Sequence, residues 1–560
     1  MDSVVRNPKK HRFPVEELPS TQDGHWLEVS AVSADFEIPQ GRYHLFLPRI
    51  GPSWVCSCMP GNEHSCSGTS RRSHLLIPVK APSCVGEANL RLGLYYRKNL
   101  VQSQKFRAEI AVDEQVGKGY RATIDYTLTH KLRDIDYLPA RTLNIAYNQN
   151  RDRTHTLMLN HDKDEIIGFT VSEGQMKEAL DSVRRTLREI HFEEFGGTPG
   201  LPEVSRVNRY DDSNAKPIEE LKEDLRELAI KGFRLYSCLF GDKPTTEYKL
   251  TESLKNTVDE PATIQISRTG NSNFVFPWDL LYDIHLEVTN VSEFKYCDLL
   301  NQWQSLSNDV RDGMYRCPYE SSHGKNTICP FGFWGFKYAI EQPPFVEDRP
   351  LPTTIQRGEP SPEILIALSS KPTQGSLADN HIKTVRDSLL GFRVSDTEKR
   401  IELVKKMRNP YLDIIYFFGH GRYENRVSPG DGITVLEMAD GCIAPEDVMT
   451  WAKYDWPQGH WRENSPLVVL NGCHTAELTP ATLVNFVDMF ARAYASGLIG
   501  TEITIGEQVA IEAAEVFFNC FKNNAPVKSA LNKMRKQFLS KGNLLGLVYT
   551  AYCSMDLKLS

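Results

Sequence analysis

No apolar stretch in this chain approaches the about 20 residues that a membrane-spanning helix needs, so a membrane protein is not expected. Cysteine is sparse: 12 residues lie scattered over 560 positions without framework spacing. That excludes a disulfide-stapled secreted scaffold and fits a reducing, cytoplasmic compartment. An excess of positive charge is also missing. Lys and Arg number 65 against 72 Asp and Glu, for a net charge of −7, so nothing attracts nucleic acid in general. The opening segment Met1 to Arg12 carries basic charge but no apolar run follows it, and a secretory signal is not expected. There is no Gly-x4-Gly-Lys-Ser/Thr phosphate loop, no internal repeat and no low-complexity tract. With 40% hydrophobic and 24% charged residues, what remains is an ordinary globular protein of roughly three or four domains.

The most informative features present are two apolar runs that end at reactive residues. Leu412 to Phe418 leads into Gly419-His420-Gly421, and Leu467 to Leu470 leads into Asn471-Gly472-Cys473-His474. Each reads as a buried parallel strand. Parallel strands present their carboxyl ends to one sheet edge, where ligands bind, so a His and a Cys delivered there can meet. A thiolate is the attacking species, and a neighbouring imidazole generates it. Gly421 and Gly472 leave the backbone uncrowded, so that N–H groups can face a developing oxyanion. The same spacing also describes a small core Cys and an unrelated His-Gly turn.

The surrounding motifs decide between these readings. Phe276-Pro-Trp-Asp-Leu-Leu-Tyr-Asp283, Phe418-Gly-His-Gly421, Asn471-Gly-Cys-His-Thr-Ala476, Ala495 to Thr501 and Gly546 to Tyr552 follow the order found in CHAT-domain proteases. The chain resembles that family over roughly residues 205–557. The family belongs with caspases, metacaspases and separases in the caspase-like cysteine peptidases. The resemblance implies Cys473 as nucleophile, His420 as general base and acid, and the backbone N–H groups of Gly421 and Cys473 as oxyanion hole. It places Asn471 and Gly472 beside the substrate. One departure matters: Asn471 stands where metacaspases carry an acidic residue for a basic P1 side chain, so a Lys/Arg preference is not implied. Glu424 and Asp431 follow the His strand and read as solvated loop charges.

The expected fold is an α/β caspase-like parallel sheet, made of a catalytic and a non-catalytic half, with an N-terminal antiparallel β-sandwich. The divisions are a tail over 1–23, the sandwich over 24–165 and a helix with linker over 166–204. The non-catalytic half spans 205–345 and the catalytic half 346–560. Period-two patterns at Leu90 to Tyr96, Phe106 to Val112 and Tyr120 to Leu128 predict the sandwich strands, with Gly117 to Gly119 as a turn. Met176, Leu180, Val183, Leu187 and Ile190 predict a helix over 172–191. A second helix starts after Pro217 and stops at Gly232, followed by a strand near Phe233 to Cys238 and others near Thr263 to Ser267 and Phe274 to Phe276. The catalytic half alternates strands and helices, which argues a sheet covered on both faces.

Two groups carry metal-ligand chemistry. Cys297, Cys317, His323 and Cys329 form either a tetrahedral zinc site or a set of unlinked structural thiols. Cys56, Cys58, His64 and Cys66 pose the same alternative in a polar loop. Catalysis itself requires no cofactor. The aromatic group Phe331, Phe333, Trp334 and Phe336 reads as a buried plug, the alternative being a docking surface.

The expected activity is therefore limited proteolysis of a protein partner, with proteins encoded in the same locus as the candidates. The resemblance implies prokaryotic regulation or antiviral defence, for example release of a pore-forming or toxic product. The N-terminal β domain is the expected docking place for a protein activator. The alternatives are a catalytically silent scaffold or sensor on the same fold, and self-processing as the main reaction.

Overall fold

The structure, a computed structural model, describes residues 24–33, 35–39, 41–48, 52–55, 72–111, 120–128, 140–150, 154–160, 167–195, 205–208, 216–241, 250, 254, 261–269, 276–344, 352–356, 361–369, 375–389, 391–419, 421–425, 432–472, 480–503 and 505–560. The 1–23 tail, the loop with Cys56 to Cys66, the Gly117 to Gly119 turn and the 196–202 linker lie outside them.

Five strands, β1 (Gly24–Val32), β2 (Arg42–Pro48), β3 (Gly86–Tyr96), β4 (Asn99–Ile110) and β5 (Tyr120–Thr127), form an antiparallel sheet in the order β2-β1-β3-β4-β5. The chain then enters a second, eleven-stranded sheet. Its strands are β6 (Leu143–Gln149), β7 (Thr154–Asn160), β8 (Ile167–Ser172), β9 (Thr263–Arg268), β10 (Ala339–Glu341), β11 (Glu363–Leu368), β12 (Arg393–Thr397) and β13 (Ile414–Phe418), and, after a small sheet of β14 (Gly421–Asn425), β15 (Gly432–Met438) and β16 (Gly441–Ile443), also β17 (Leu467–Asn471), β18 (Gly497–Thr501) and β19 (Tyr549–Tyr552). Their order is β12-β11-β13-β17-β18-β19-β10-β9-β6-β7-β8. Pairing is parallel from β12 to β18 and from β19 to β6. It is antiparallel at the β18–β19 junction and along β6-β7-β8.

Helices α1 (Glu173–His191), α2 (Ile218–Phe240), α3 (Gly375–Ser388), α4 (Arg400–Lys406), α5 (Pro445–Thr450), α6 (Pro480–Arg492), α7 (Glu507–Phe521) and α8 (Val527–Ser540) accompany the sheet. Alternate residues of the central strands face opposite cores. Ile414, Tyr416 and Phe418 join the core that includes α1, α2, α7 and α8. Ile415 and Phe417 join the other, with Trp461 and Phe486. Burial on both faces is why these strands read as unbroken apolar runs.

Two expectations need correction. The strands within 24–165 do not form one sandwich of their own, because β6 and β7 belong to the large sheet. The five-stranded sheet packs on β6 and β7 instead, through Tyr95, Leu100 and Tyr126 against Ala146 and Met158. Strand β6 carries Asn144 and Asn148 among apolar residues yet is buried on both sides. The Asn144 amide nitrogen donates to Gln265 Oε1 at 2.9 Å and Ser267 Oγ at 3.0 Å, so a residue that reads as solvent-facing is held inside.

Gly232 does not end α2. The helix runs through it to Phe240, and the strand expected over 233–238 is helical. Glycine is required there by close packing: a Cβ would lie 2.6 Å from the Leu280 carbonyl oxygen. In the catalytic half, Arg393–Thr397 forms an edge strand ahead of α4. The aromatic plug is as expected, with Phe331, Phe333, Trp334 and Phe336 all 3% exposed or less.

Candidate functional site

Strands β13 and β17 are neighbours, parallel and in register from Ile414↔Leu467 to Phe418↔Asn471. Both therefore end at the same edge of the sheet, at the same height. His420 follows Phe418 by two residues and Cys473 follows Asn471 by two residues. His420 and Cys473 themselves lie outside the described residues, as do His474 and Asp431.

The backbone leading to each position is tightly set. Phe418 accepts a hydrogen bond from the Ser369 N–H at 3.1 Å, which ties β13 to the end of β11. At Gly419 a Cβ would sit 2.4 Å from Ser369 Cβ, so only glycine lets the two strand ends approach. Gly421, buried, opens the small three-stranded sheet opposite Leu436. Gly472 is also buried.

Asn471 is a correction to the expected substrate contacts. It is 1% exposed, and its side chain is engaged within the fold. Nδ2 donates to the Tyr416 hydroxyl at 2.9 Å and the Ala510 carbonyl at 2.7 Å, while Oδ1 accepts from the Tyr549 hydroxyl at 2.8 Å. The amide locks β17 to β13, α7 and the strand β19. A carboxylate at this position would face the Ala510 carbonyl oxygen.

Sequence reasoning missed the rest of this network. His381 on α3 is 1% exposed, and its Nε2 lies 2.9 Å from the Tyr416 hydroxyl. Burial pulls its pKa down to about 4, so the ring is neutral. His381 thus buttresses the strand ends from below. No signal in the sequence separates it from any other helical histidine. Glu502 follows β18 at the same edge; it is 5% exposed and receives a bond from Thr550 Oγ1 at 2.8 Å. Burial pushes its carboxyl up to about 7, against the opposing pull of Arg184.

Away from this edge, the structure brings Cys297, Cys317, His323 and Cys329 together, with their ligand atoms all within 4.8 Å of one another. Among the described residues no helix is long and apolar enough to cross a membrane.

No protein-family model matches the chain. A curated relative from Vitiosangium sp. (strain GDMCC 1.1324), named "Probable protease Ga0334635_1659", is 26% identical over 524 residues. The alignment covers 90% of this chain and 65% of the relative, so this chain spans about two thirds of that protein's length. Among solved structures, the Saccharomyces cerevisiae separase–securin complex aligns with 70% of this chain and 23% of its own, at 10% identity and a TM-score of 0.25. That superposition is too loose to inform the site.

Proposed function

We propose that the chain is a cysteine endopeptidase of the caspase-like, CHAT type, which cleaves a protein partner at few positions. The observation that carries the proposal is the register pairing of Phe418 with Asn471, since His420 and Cys473 follow these partners by equal steps. The curated relative is named a probable protease, which supports peptide-bond hydrolysis. The CHAT assignment rests on the order of the motifs.

In this reading His420 takes the Cys473 proton and the thiolate attacks the scissile carbonyl. The backbone N–H groups of Gly421 and Cys473 stabilise the oxyanion; loss of one such donor typically costs about 10²–10³ in rate. Protonated His420 then delivers its proton to the leaving amine, and a thioester remains on Cys473. Water, deprotonated by His420, releases the acid product and restores the thiol. Substrate recognition falls to the loops around the edge rather than to the Asn471 side chain. A role in prokaryotic regulation or defence, and docking of an activator on the five-stranded sheet, extend the same reading.

Co-expression with proteins encoded beside this one tests it. A discrete cleavage product present with the wild type and absent with Cys473→Ala supports the peptidase, and sequencing its new terminus gives the P1 residue. An electrophilic thiol probe should label Cys473 and lose that labelling in His420→Ala. Intact partners together with an unlabelled Cys473 would leave a scaffold as the better account.

A further inference from the structure

We propose that Cys297, Cys317, His323 and Cys329 hold a structural zinc ion that closes the 297–329 segment onto the non-catalytic half of the sheet. The Cys297 and Cys317 sulfurs are 3.5 Å apart, and His323 Nε2 lies 3.2 Å from the Cys297 sulfur. All four ligand atoms fall within 4.8 Å of one another. A tetrahedral ion with zinc–sulfur bonds of about 2.3 Å and a zinc–nitrogen bond of about 2.0–2.1 Å needs donors about 3.5–3.8 Å apart. The cluster has the donor set and nearly the spacing, before any ion draws it together.

The backbone around it delivers two of the ligands as a pair. Lys295–Tyr296 and Thr327–Ile328 form a short parallel ladder with Tyr296 opposite Ile328. Cys297 and Cys329 are the next residue on each strand. The Cys297 N–H donates to the Ile328 carbonyl at 2.9 Å. The Tyr282 hydroxyl accepts from the Cys329 N–H at 3.0 Å and donates to the Thr327 carbonyl at 2.8 Å, which fixes the second thiol. Cys317 and His323 come from the excursion between the two strands. Cys297, Cys317 and Cys329 are each 5% exposed or less, and with the half-buried His323 they supply all four ligands of a tetrahedral shell. That makes the ion structural rather than catalytic.

The segment needs such a tie. Its regular elements are two-residue strands and helices of six and five residues, Asp298–Trp303 and Asn308–Asp312. The second of these helices buries no residue. An ion bridging the start, middle and end of the excursion supplies the closure that its own small core does not.

Metal content of the full-length protein, purified without chelator, tests the proposal. The expected result is about one zinc per chain, with Cys297, Cys317 and Cys329 resisting alkylation until a strong chelator is added. Cobalt in place of zinc should give thiolate-to-metal absorption. The double variant Cys297→Ser with Cys329→Ser should lose the metal, and because it is also expected to fold poorly, the wild-type measurements stand without it. A metal-free wild type whose three thiols alkylate freely would overturn the proposal. So would a Cys297–Cys317 disulfide found by mass mapping, or a folded double variant that retains its zinc.

Discussion

Asn471 and Tyr549 are joined by a 2.8 Å hydrogen bond from the tyrosine hydroxyl to the asparagine Oδ1, which couples the strand before Cys473 to the antiparallel strand β19. The same amide donates to Tyr416 and Ala510, so one side chain determines where β17 ends. Asn471→Ala removes three buried partners at once. With about 1–3 kcal/mol for each buried group left unsatisfied and partial relaxation, the expected loss is roughly 2–4 kcal/mol, read from the urea midpoint. Asn471→Asp should be no milder, because its carboxylate meets the Ala510 carbonyl. If Asp at 471 proved as stable as Asn, the network would not be what holds the strand end.

Arg141 and Glu341 form a fully buried pair. The guanidinium Nε and a terminal nitrogen bond the two carboxylate oxygens at 2.7 and 2.9 Å, with 0% exposure on both sides. Arg141 also reaches Asp556 at 2.8 Å, and Glu341 accepts from the Met555 N–H at 2.9 Å. The clamp joins the entry to β6, the strand β10 and the C-terminal segment. Arg141→Met leaves Glu341 charged and unpaired, at an expected cost of about 3–5 kcal/mol. The double variant with Glu341→Gln should recover part of that loss in the same denaturation series.

The two strands that lead to the candidate site were legible in the sequence because they are buried on both faces. Leu467 to Leu470 and Ile414 to Phe418 have no charged interruption, and an abrupt Gly marks where each stops. What the sequence hid was pairing. Nothing in the pattern of β6 distinguishes an inner strand of the eleven-stranded sheet from a sandwich strand, since Asn144 is buried with hydrogen bonds to Gln265 and Ser267. The irregular spacing of Cys297, Cys317, His323 and Cys329 left their convergence undecided for a similar reason: the register Tyr296↔Ile328, not local spacing, aligns two of them. His381 was illegible because its role depends on a contact with Tyr416 across the fold.

Gly232 offers a direct test of close packing. In an exposed helix interior, Gly→Ala gains about 1 kcal/mol. Here the added carbon would lie 2.6 Å from the Leu280 carbonyl oxygen and 2.9 Å from Tyr282 Cβ. Gly232→Ala is therefore expected to lower the melting temperature, with the overlap exceeding the propensity gain by roughly 1–3 kcal/mol. A raised melting temperature would show that α2 and the Leu280–Tyr282 segment move apart at little cost.

The pH dependence of stability separates Glu502 from the buried histidines. Burial raises the Glu502 carboxyl from 4.5 to about 7, so between those values the folded chain holds a proton that the unfolded chain has released. Its contribution is full below about 4.5 and is lost as pH rises through about 7. Asp279, pushed up to about 6 by burial, acts in the same direction. His381, lowered to about 4, and His191, lowered to about 3, act oppositely. Each stays neutral when folded, so its contribution is present above 6.5 and falls as pH drops. His191 needs that neutrality, because its Nε2 accepts the Gly506 N–H at 2.6 Å. The opposing slopes partly cancel in the wild type, and the informative quantity is a difference. Glu502→Gln keeps an oxygen for the Thr550 hydroxyl and has nothing to ionise. Relative to wild type it should be stabilised at pH 8 and level at pH 4, by chemical denaturation at both. A difference independent of pH would mean that Glu502 titrates at its ordinary value, as it would if water reached the edge of the sheet beside β18.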